Sequence, residues 1–157
     1  MKQRKDNPGV YPPPPLFYVV VFLISIFVQK YVPVNDAFLH TSIAIYIFYI
    51  LIVAALFFLL PALLQFLKTK NTLVTIKAAS SLQTSGIYAI TRNPMYLGLL
   101  ILYTGIAFKT GNTWTFIFIP ILILLINQFV ILNEEKYLER AFGNDYLSYK
   151  AKVRRWI

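Results

Sequence analysis

Between Ala37 and Leu67 the chain carries no Asp, Glu, Lys or Arg, and no other feature limits its fold so strongly. A helix needs about 20 apolar residues to cross the hydrocarbon core of a bilayer, so this run can cross with tilt or extend into the interface. Pro61 lies inside it and is expected to kink the helix or end its regular part. Three more apolar runs flank it: Leu16 to about Val34, interrupted by Gln29 and Lys30; Met95 to Phe108, which is short; and Trp114 to Leu132, a full span. Hydrophobic residues make up 58% of the chain and charged ones 13%, the balance of a membrane protein. The expected fold is all-α: one polytopic membrane domain over residues 1–157, with about four transmembrane helices and a C-terminal interfacial amphipathic helix.

Basic residues are retained on the cytoplasmic side of a membrane protein. Lys2, Arg4 and Lys5 precede the first run; Lys68, Lys70, Lys77 and Arg92 lie between the second and third; Lys136, Arg140, Lys150, Lys152, Arg154 and Arg155 follow the fourth. Only Lys30 and Lys109 fall on the other side, which places both termini in the cytoplasm, most simply at a prokaryotic inner membrane. The net charge of +9 then reflects topology and attraction to anionic lipid in the bilayer. No basic stripe interleaved with aromatics stands free of the membrane, so nucleic acid is not an expected partner.

The basic start and apolar stretch resemble a signal peptide, but no small-residue cleavage site follows Val28, so the segment is expected to be kept. Pro8 and Pro12 to Pro15 favour a polyproline II lead-in over residues 1–15. The chain has no cysteine, hence no thiolate nucleophile and no Cys-based metal site, and no metal is expected. His40, the only histidine, falls at the outer interface as an ordinary interfacial side chain. Lys109-Thr110-Gly111-Asn112-Thr113 reads as a tight turn that makes the last two spans an antiparallel hairpin.

That hairpin would bring two polar motifs to one membrane face: Arg92-Asn93-Pro94-Met95-Tyr96-Leu97-Gly98 and Glu134-Glu135. Proline at the first helical position loses no hydrogen bond, and the preceding asparagine is expected to cap the free amides. A helix start also favours an anion, to which Arg92 adds a fork suited to carboxylate or phosphate; an anchor on lipid phosphate explains Arg92 as well. Gly98 and Gly105 allow close approach of another helix. Asn127 or Gln128, Ile131, Glu134 or Glu135, and Leu138 form a polar seam. Two neighbouring carboxylates at a low-dielectric boundary repel each other unless a cation is near, although a solvated helical turn would also hold them. Gly143 is expected to end that helix, with Tyr146, Tyr149, Val153 and Trp156 marking a short amphipathic helix on the inner surface.

The stretch Ser85-Gly86-Ile87-Tyr88-Ala89-Ile90-Thr91-Arg92-Asn93-Pro94-Met95-Tyr96-Leu97-Gly98, the Asn133-Glu134-Glu135 after the next span, and Phe142-Gly143-Asn144-Asp145-Tyr146 through Val153-Arg154-Arg155-Trp156 together resemble the isoprenylcysteine carboxyl methyltransferase and phospholipid methyltransferase superfamily. The resemblance covers about residues 82 to 157. It implies an integral membrane enzyme that uses S-adenosylmethionine at the cytosolic ends of its helices to methylate a small lipophilic acceptor, a carboxylate or an amine. By that resemblance Tyr88, Arg92, Asn93, Pro94, Tyr96 and Gly98 border the cofactor, and Glu134 with Glu135 meets its cationic portion. Catalytic roles would fall to Arg92 or Arg154 in orienting a carboxylate acceptor, and to Glu135 or a tyrosine in taking a proton from an amine. The eukaryotic carboxyl methyltransferases usually carry histidine where this chain has Asn93. Two other readings of the chain are a noncatalytic four-helix membrane protein and a nicotinamide-dependent membrane reductase of related fold.

Overall fold

A computed structural model describes residues 8–10, 12–34, 37–69, 79 and 81–157. Of the basic residues that set the expected orientation, Lys2, Arg4, Lys5, Lys70 and Lys77 lie outside the described residues, as do residues 1–7 and Tyr11 of the Pro-rich lead-in. The architecture is all-α. Helix α1 (Pro14–Tyr31) starts earlier than expected, with Pro14 and Pro15 in its first turn. First-turn amides have no intrahelical acceptor, so the prolines forfeit no bond there, and the polyproline geometry stops at Pro13 (φ −59°, ψ 130°). Tyr18, Val21 and Ser25, spaced by three and four, are the buried face of α1, while Val19, Leu23, Ile24 and Phe27 are exposed.

A 3₁₀ turn at Ala37–His40 leads to α2 (Ser42–Lys68), capped by the Thr41 hydroxyl, which accepts from the Ala44 amide. Pro61 does not end α2, which runs on to Lys68, about two more turns. Helix α3 (Pro94–Thr110) packs along α2 more extensively than any other pair of helices does. The reason is visible in small residues. A Cβ placed on Gly98 would lie 2.6 Å from Leu59 Cγ and 3.2 Å from the Ala55 carbonyl, and one on Gly105 would lie 3.3 Å from Leu51 Cβ.

Gly111 turns the chain with φ 64°, and Asn112 caps α4 (Thr113–Ile117) by accepting from the Thr115 amide. The expected fourth span is interrupted: α4 gives way at Phe118 to α5 (Ile119–Ile126), then to a π turn (Asn127–Ile131) and α6 (Leu132–Phe142). Pro120 supplies no amide to the ladder at the first break. The π turn adds a residue to one turn, so that both Val130 and Ile131 face the core and the following face of α6 carries Glu135 and Tyr137 inward. Gly143 (φ 52°) ends α6, as its position implied.

Helix α7 (Asn144–Lys152) is shorter than the expected amphipathic helix. Val153 is extended, and Trp156 packs against the main core of Tyr18, Val21, Tyr103, Leu122, Ile126, Val130 and Ile131. Tyr146 and Tyr149 are buried against protein rather than presented outward. Among the described residues, two helices, α1 and α2, are long and apolar enough to cross a membrane, instead of the four expected; α3 is a shorter apolar helix. Exposed apolar side chains run the length of α2, among them Tyr46, Ile50, Val53, Phe57 and Leu64, a surface suited to lipid rather than water.

The bundle has two unlike ends. At one, Trp114 Nε1 donates to the Val32 carbonyl and the His40 ring sits where a Cβ on Gly111 would go. His40 is thus a packing residue of the α3–α4 turn. At the other end, the first turn of α1, the last turn of α2, the start of α3 and helix α6 surround a cavity.

Candidate active site

Gly86 (φ 60°) opens a 3₁₀ turn, Gly86–Ala89, that buries Ile87 and Tyr88 against α2, with the Tyr88 and Phe66 rings stacked at 5.9 Å. The segment then passes Thr91 and Arg92 before Pro94 starts α3. Two strips of chain meet here. Arg92 N–H donates to the Arg154 carbonyl (3.0 Å), and the Arg155 carbonyl accepts from Thr91 Oγ1 (3.1 Å) and Asn93 Nδ2 (2.9 Å). Asn93 therefore does not cap α3 with its side chain, as expected from its place before proline; the amide is spent on the C-terminal tail. The tail is fixed further by Tyr149, whose hydroxyl donates to the Tyr88 carbonyl (2.6 Å).

The cavity holds about 270 Å³, close to the lower end of ligand pockets, roughly 300 Å³. Tyr88, Arg92, Asn93, Pro94, Tyr96, Glu134 and Glu135 all border it, so seven of the residues singled out in the sequence converge although two apolar runs separate them in the chain. Gly98 and Arg154 do not border it. Gly98 is buried at the crossing with α2, and Arg154 is exposed, contributing its backbone carbonyl to Arg92. Phe66, Met95, Leu99 and Leu138 supply apolar wall, and Tyr137, Tyr146 and Tyr149 supply aromatic wall.

The adjacent glutamates differ sharply. Glu135 is 6% exposed and is clamped by cations: Arg155 makes a two-pronged contact (Nε–Oε1 3.0 Å, Nη2–Oε2 2.8 Å), and Arg92 Nη2 lies 3.1 Å from Oε1. Glu134 has no ion pair among the described residues and accepts a 2.6 Å hydrogen bond from the Tyr96 hydroxyl. Surrounding protein strips water from its carboxyl and pushes it up to about 7, against the Tyr96 hydrogen bond, which pulls it down; the neighbouring Glu135 charge pushes it up further. Burial also pushes the Tyr88 and Tyr146 phenols up, and the Tyr149 phenol up to about 12, so all three stay protonated near neutral pH. Arg92 is 10% exposed, and its Nε and Nη1 are buried without a hydrogen-bond partner. One cavity thus combines an arginine with spare donors and, among the described residues, a carboxylate without a cation.

Residues 43–145 match a family described as phospholipid methyltransferase. The chain belongs to the phospholipid methyltransferase family. Among relatives of this methyltransferase-family chain, an uncharacterized protein of Haemophilus influenzae is 48% identical over 63 residues, 40% of this chain and all of that protein. The protein-S-isoprenylcysteine O-methyltransferase of Schizosaccharomyces pombe is 40% identical over 73 residues, 46% of this chain but 30% of that enzyme. No solved structure matches.

Sequence reasoning missed Arg155 in favour of Arg154. Successive side chains of an extended segment point to opposite sides, so one of this adjacent pair would face the site, but nothing in the sequence sets the register of the tail. It also missed Pro14 and Pro15, which border the cavity from α1; the N-terminal half had offered hydropathy alone.

Proposed function

We propose that this family member transfers a methyl group from S-adenosylmethionine to a lipophilic acceptor at the cytosolic face of a membrane. The observation that carries the reading is the pairing of unlike groups in one cavity: among the described residues, Arg92 keeps two buried donors unused and Glu134 is a carboxylate without a cation. An amino-acid ligand with a carboxylate and a cationic portion complements both. The donor set fits the cofactor that the family implies: Arg92 would hold its carboxylate, Glu134 its ammonium or sulfonium side, and the wall of Tyr88, Tyr137 and Tyr146 its flatter parts. Bound there, S-adenosylmethionine supplies an electrophilic methyl on a sulfonium whose charge disappears on transfer.

The chain needs no covalent nucleophile for this reaction. Its residues align donor and acceptor and exclude water, which favours a step that disperses charge. For a carboxylate acceptor no base is required. For an amine acceptor a proton must leave, and Glu134, left without a cation once the sulfonium charge is gone, is the group suited to take it. Glu135 is committed to Arg155 and Arg92, and the buried tyrosines stay protonated. Apolar Leu99 and Met95 line the side of the cavity nearest α3, where an acceptor could arrive from the bilayer.

The proposed topology has four crossings: α1, α2, α3 and the broken rod from α4 through the π turn. Both termini lie in the cytoplasm, and the membrane is the inner membrane of a prokaryote. Because the chain has no cysteine, single cysteines at Lys109 and Lys152 can be labelled from either side of the membrane; labelling of both from the same side would refute the topology.

The direct test of function is calorimetric binding of S-adenosylmethionine and S-adenosylhomocysteine to detergent-purified protein, with Glu134→Ala as control. Saturable binding weakened in the control is expected. A stable, monodisperse protein that binds neither compound would overturn the reading.

A further inference from the structure

A carboxylate offers one side-on position in which a guanidinium fork makes two parallel hydrogen bonds, and on Glu135 that position belongs to Arg155 (3.0 and 2.8 Å). Arg92 reaches the same carboxylate through Nη2 alone, at 3.1 Å. Lys150 Nζ is 3.9 Å away and forms a closer pair with Glu139. Two guanidiniums on one carboxylate leave a net positive charge, and the unused buried donors, Nε and Nη1, are on Arg92.

We propose that Arg155 is a positioning residue: by occupying the fork of Glu135 and neutralising it, it leaves the Arg92 guanidinium with donors to spare for the carboxylate of a cavity ligand. Without the Arg155 side chain, Glu135 is a buried anion with one strong neighbour, and Arg92 turns its fork onto it. The cavity then loses its anion receptor while retaining its shape. The tail itself does not depend on that side chain. It is held by the backbone carbonyls of Arg154 and Arg155 and by Trp156 in the core.

This inference rests on the cavity being an S-adenosylmethionine site, and the two ideas fail separately. Calorimetry on detergent-purified wild type, Arg155→Ala and Arg155→Ala/Glu135→Gln would compare S-adenosylmethionine with its decarboxylated form, which keeps the sulfonium, ammonium and adenosyl groups but lacks the carboxylate. Arg155→Ala should weaken S-adenosylmethionine by roughly ten-fold or more, the worth of one charge-assisted hydrogen bond, and leave the decarboxylated ligand unchanged. The double variant should recover most of the loss, because a neutral amide no longer draws Arg92. Equal loss of both ligands in Arg155→Ala, or no recovery in the double variant, would overturn the role of Arg155 while leaving the cofactor site standing. Wild type that binds neither ligand would overturn both. Should Arg155→Ala fail to fold, Arg155→Lys keeps the charge without the fork. A partial loss confined to S-adenosylmethionine then supports the proposal, and a loss shared by both ligands sinks it.

Discussion

The two ends of the bundle each bury a polar cluster, and only one of them is complete. At the end formed by the α3–α4 turn, Ser25 donates or accepts at 2.8 Å with Thr115, Asn112 Nδ2 reaches Ser25 at 3.4 Å, and Asn112 Oδ1 accepts from the Thr115 amide. All three residues are buried, none is charged, and none of their polar side-chain atoms is without a partner. At the opposite end, among the described residues, Arg92 keeps two buried donors unused and Glu134 keeps a carboxylate without a cation. A buried polar group without a partner costs about 1–3 kcal/mol. The satisfied cluster therefore fixes how α1 meets α4, whereas the unsatisfied one holds free energy that a ligand can recover.

The comparison is broken most directly at Arg92. Arg92→Ala should lower S-adenosylmethionine affinity up to about a hundred-fold, on the order of 3 kcal/mol for a hydrogen bond between charged groups, with only a small change in the detergent unfolding midpoint because Arg155 still pairs Glu135. A collapse of the midpoint instead would make the cluster structural, like the other end. Gly98→Leu tests whether that residue belongs to packing: with 2.6 Å already separating a Cβ from Leu59, overpacking should cost about 2–3 kcal/mol of stability. Loss of ligand affinity without loss of stability would contradict that assignment.

Ser25→Ala is the mirror of the Arg92 experiment. It strips Thr115 and Asn112 of a shared partner and should cost about 2 kcal/mol of stability, read from denaturation in detergent, without moving ligand affinity. The last test is pH. Glu134 holds its proton up to about 7 in the folded chain against 4.5 ordinarily, so the folded state binds more protons between these values. Stability should fall as pH rises through that window and stay at its lower value above it. Ligand affinity should run the other way, rising severalfold as Glu134 ionises, on the order of one to two units around pH 7. Glu134→Gln should flatten both profiles; a slope that survives it belongs to another group.

Much of the site was legible in the chain because its residues lie at helix ends. Arg92-Asn93-Pro94 marks the start of α3, Glu134-Glu135 lies just past the last apolar run, and a hairpin must bring these together. The turn at Gly111 and the stop at Gly143 were legible for the same local reason, since both need positive φ. The unequal fates of the two glutamates were not legible. Both sit on one helix with the same neighbours in sequence, and the π turn before them and the tail beyond decide which one faces a cation. The break at Phe118 was missed because Pro120 lies in a strongly apolar stretch, and hydropathy does not register a lost amide.

By itself, then, the sequence determined what short-range chemistry can determine: an all-helical chain with a lipid-suited surface on α2, turns at its glycines, and two polar motifs at one end of a hairpin. These follow from hydropathy and backbone geometry, which act within a few residues. Only the tertiary structure decided that Asn93 holds the tail, that Arg155 rather than Arg154 reaches Glu135, that Gly98 packs against Leu59, and that Glu134 meets the Tyr96 hydroxyl. Each of those outcomes depends on which surfaces meet across gaps of tens of residues. That register is fixed when the whole bundle packs, and no local stretch of sequence contains it.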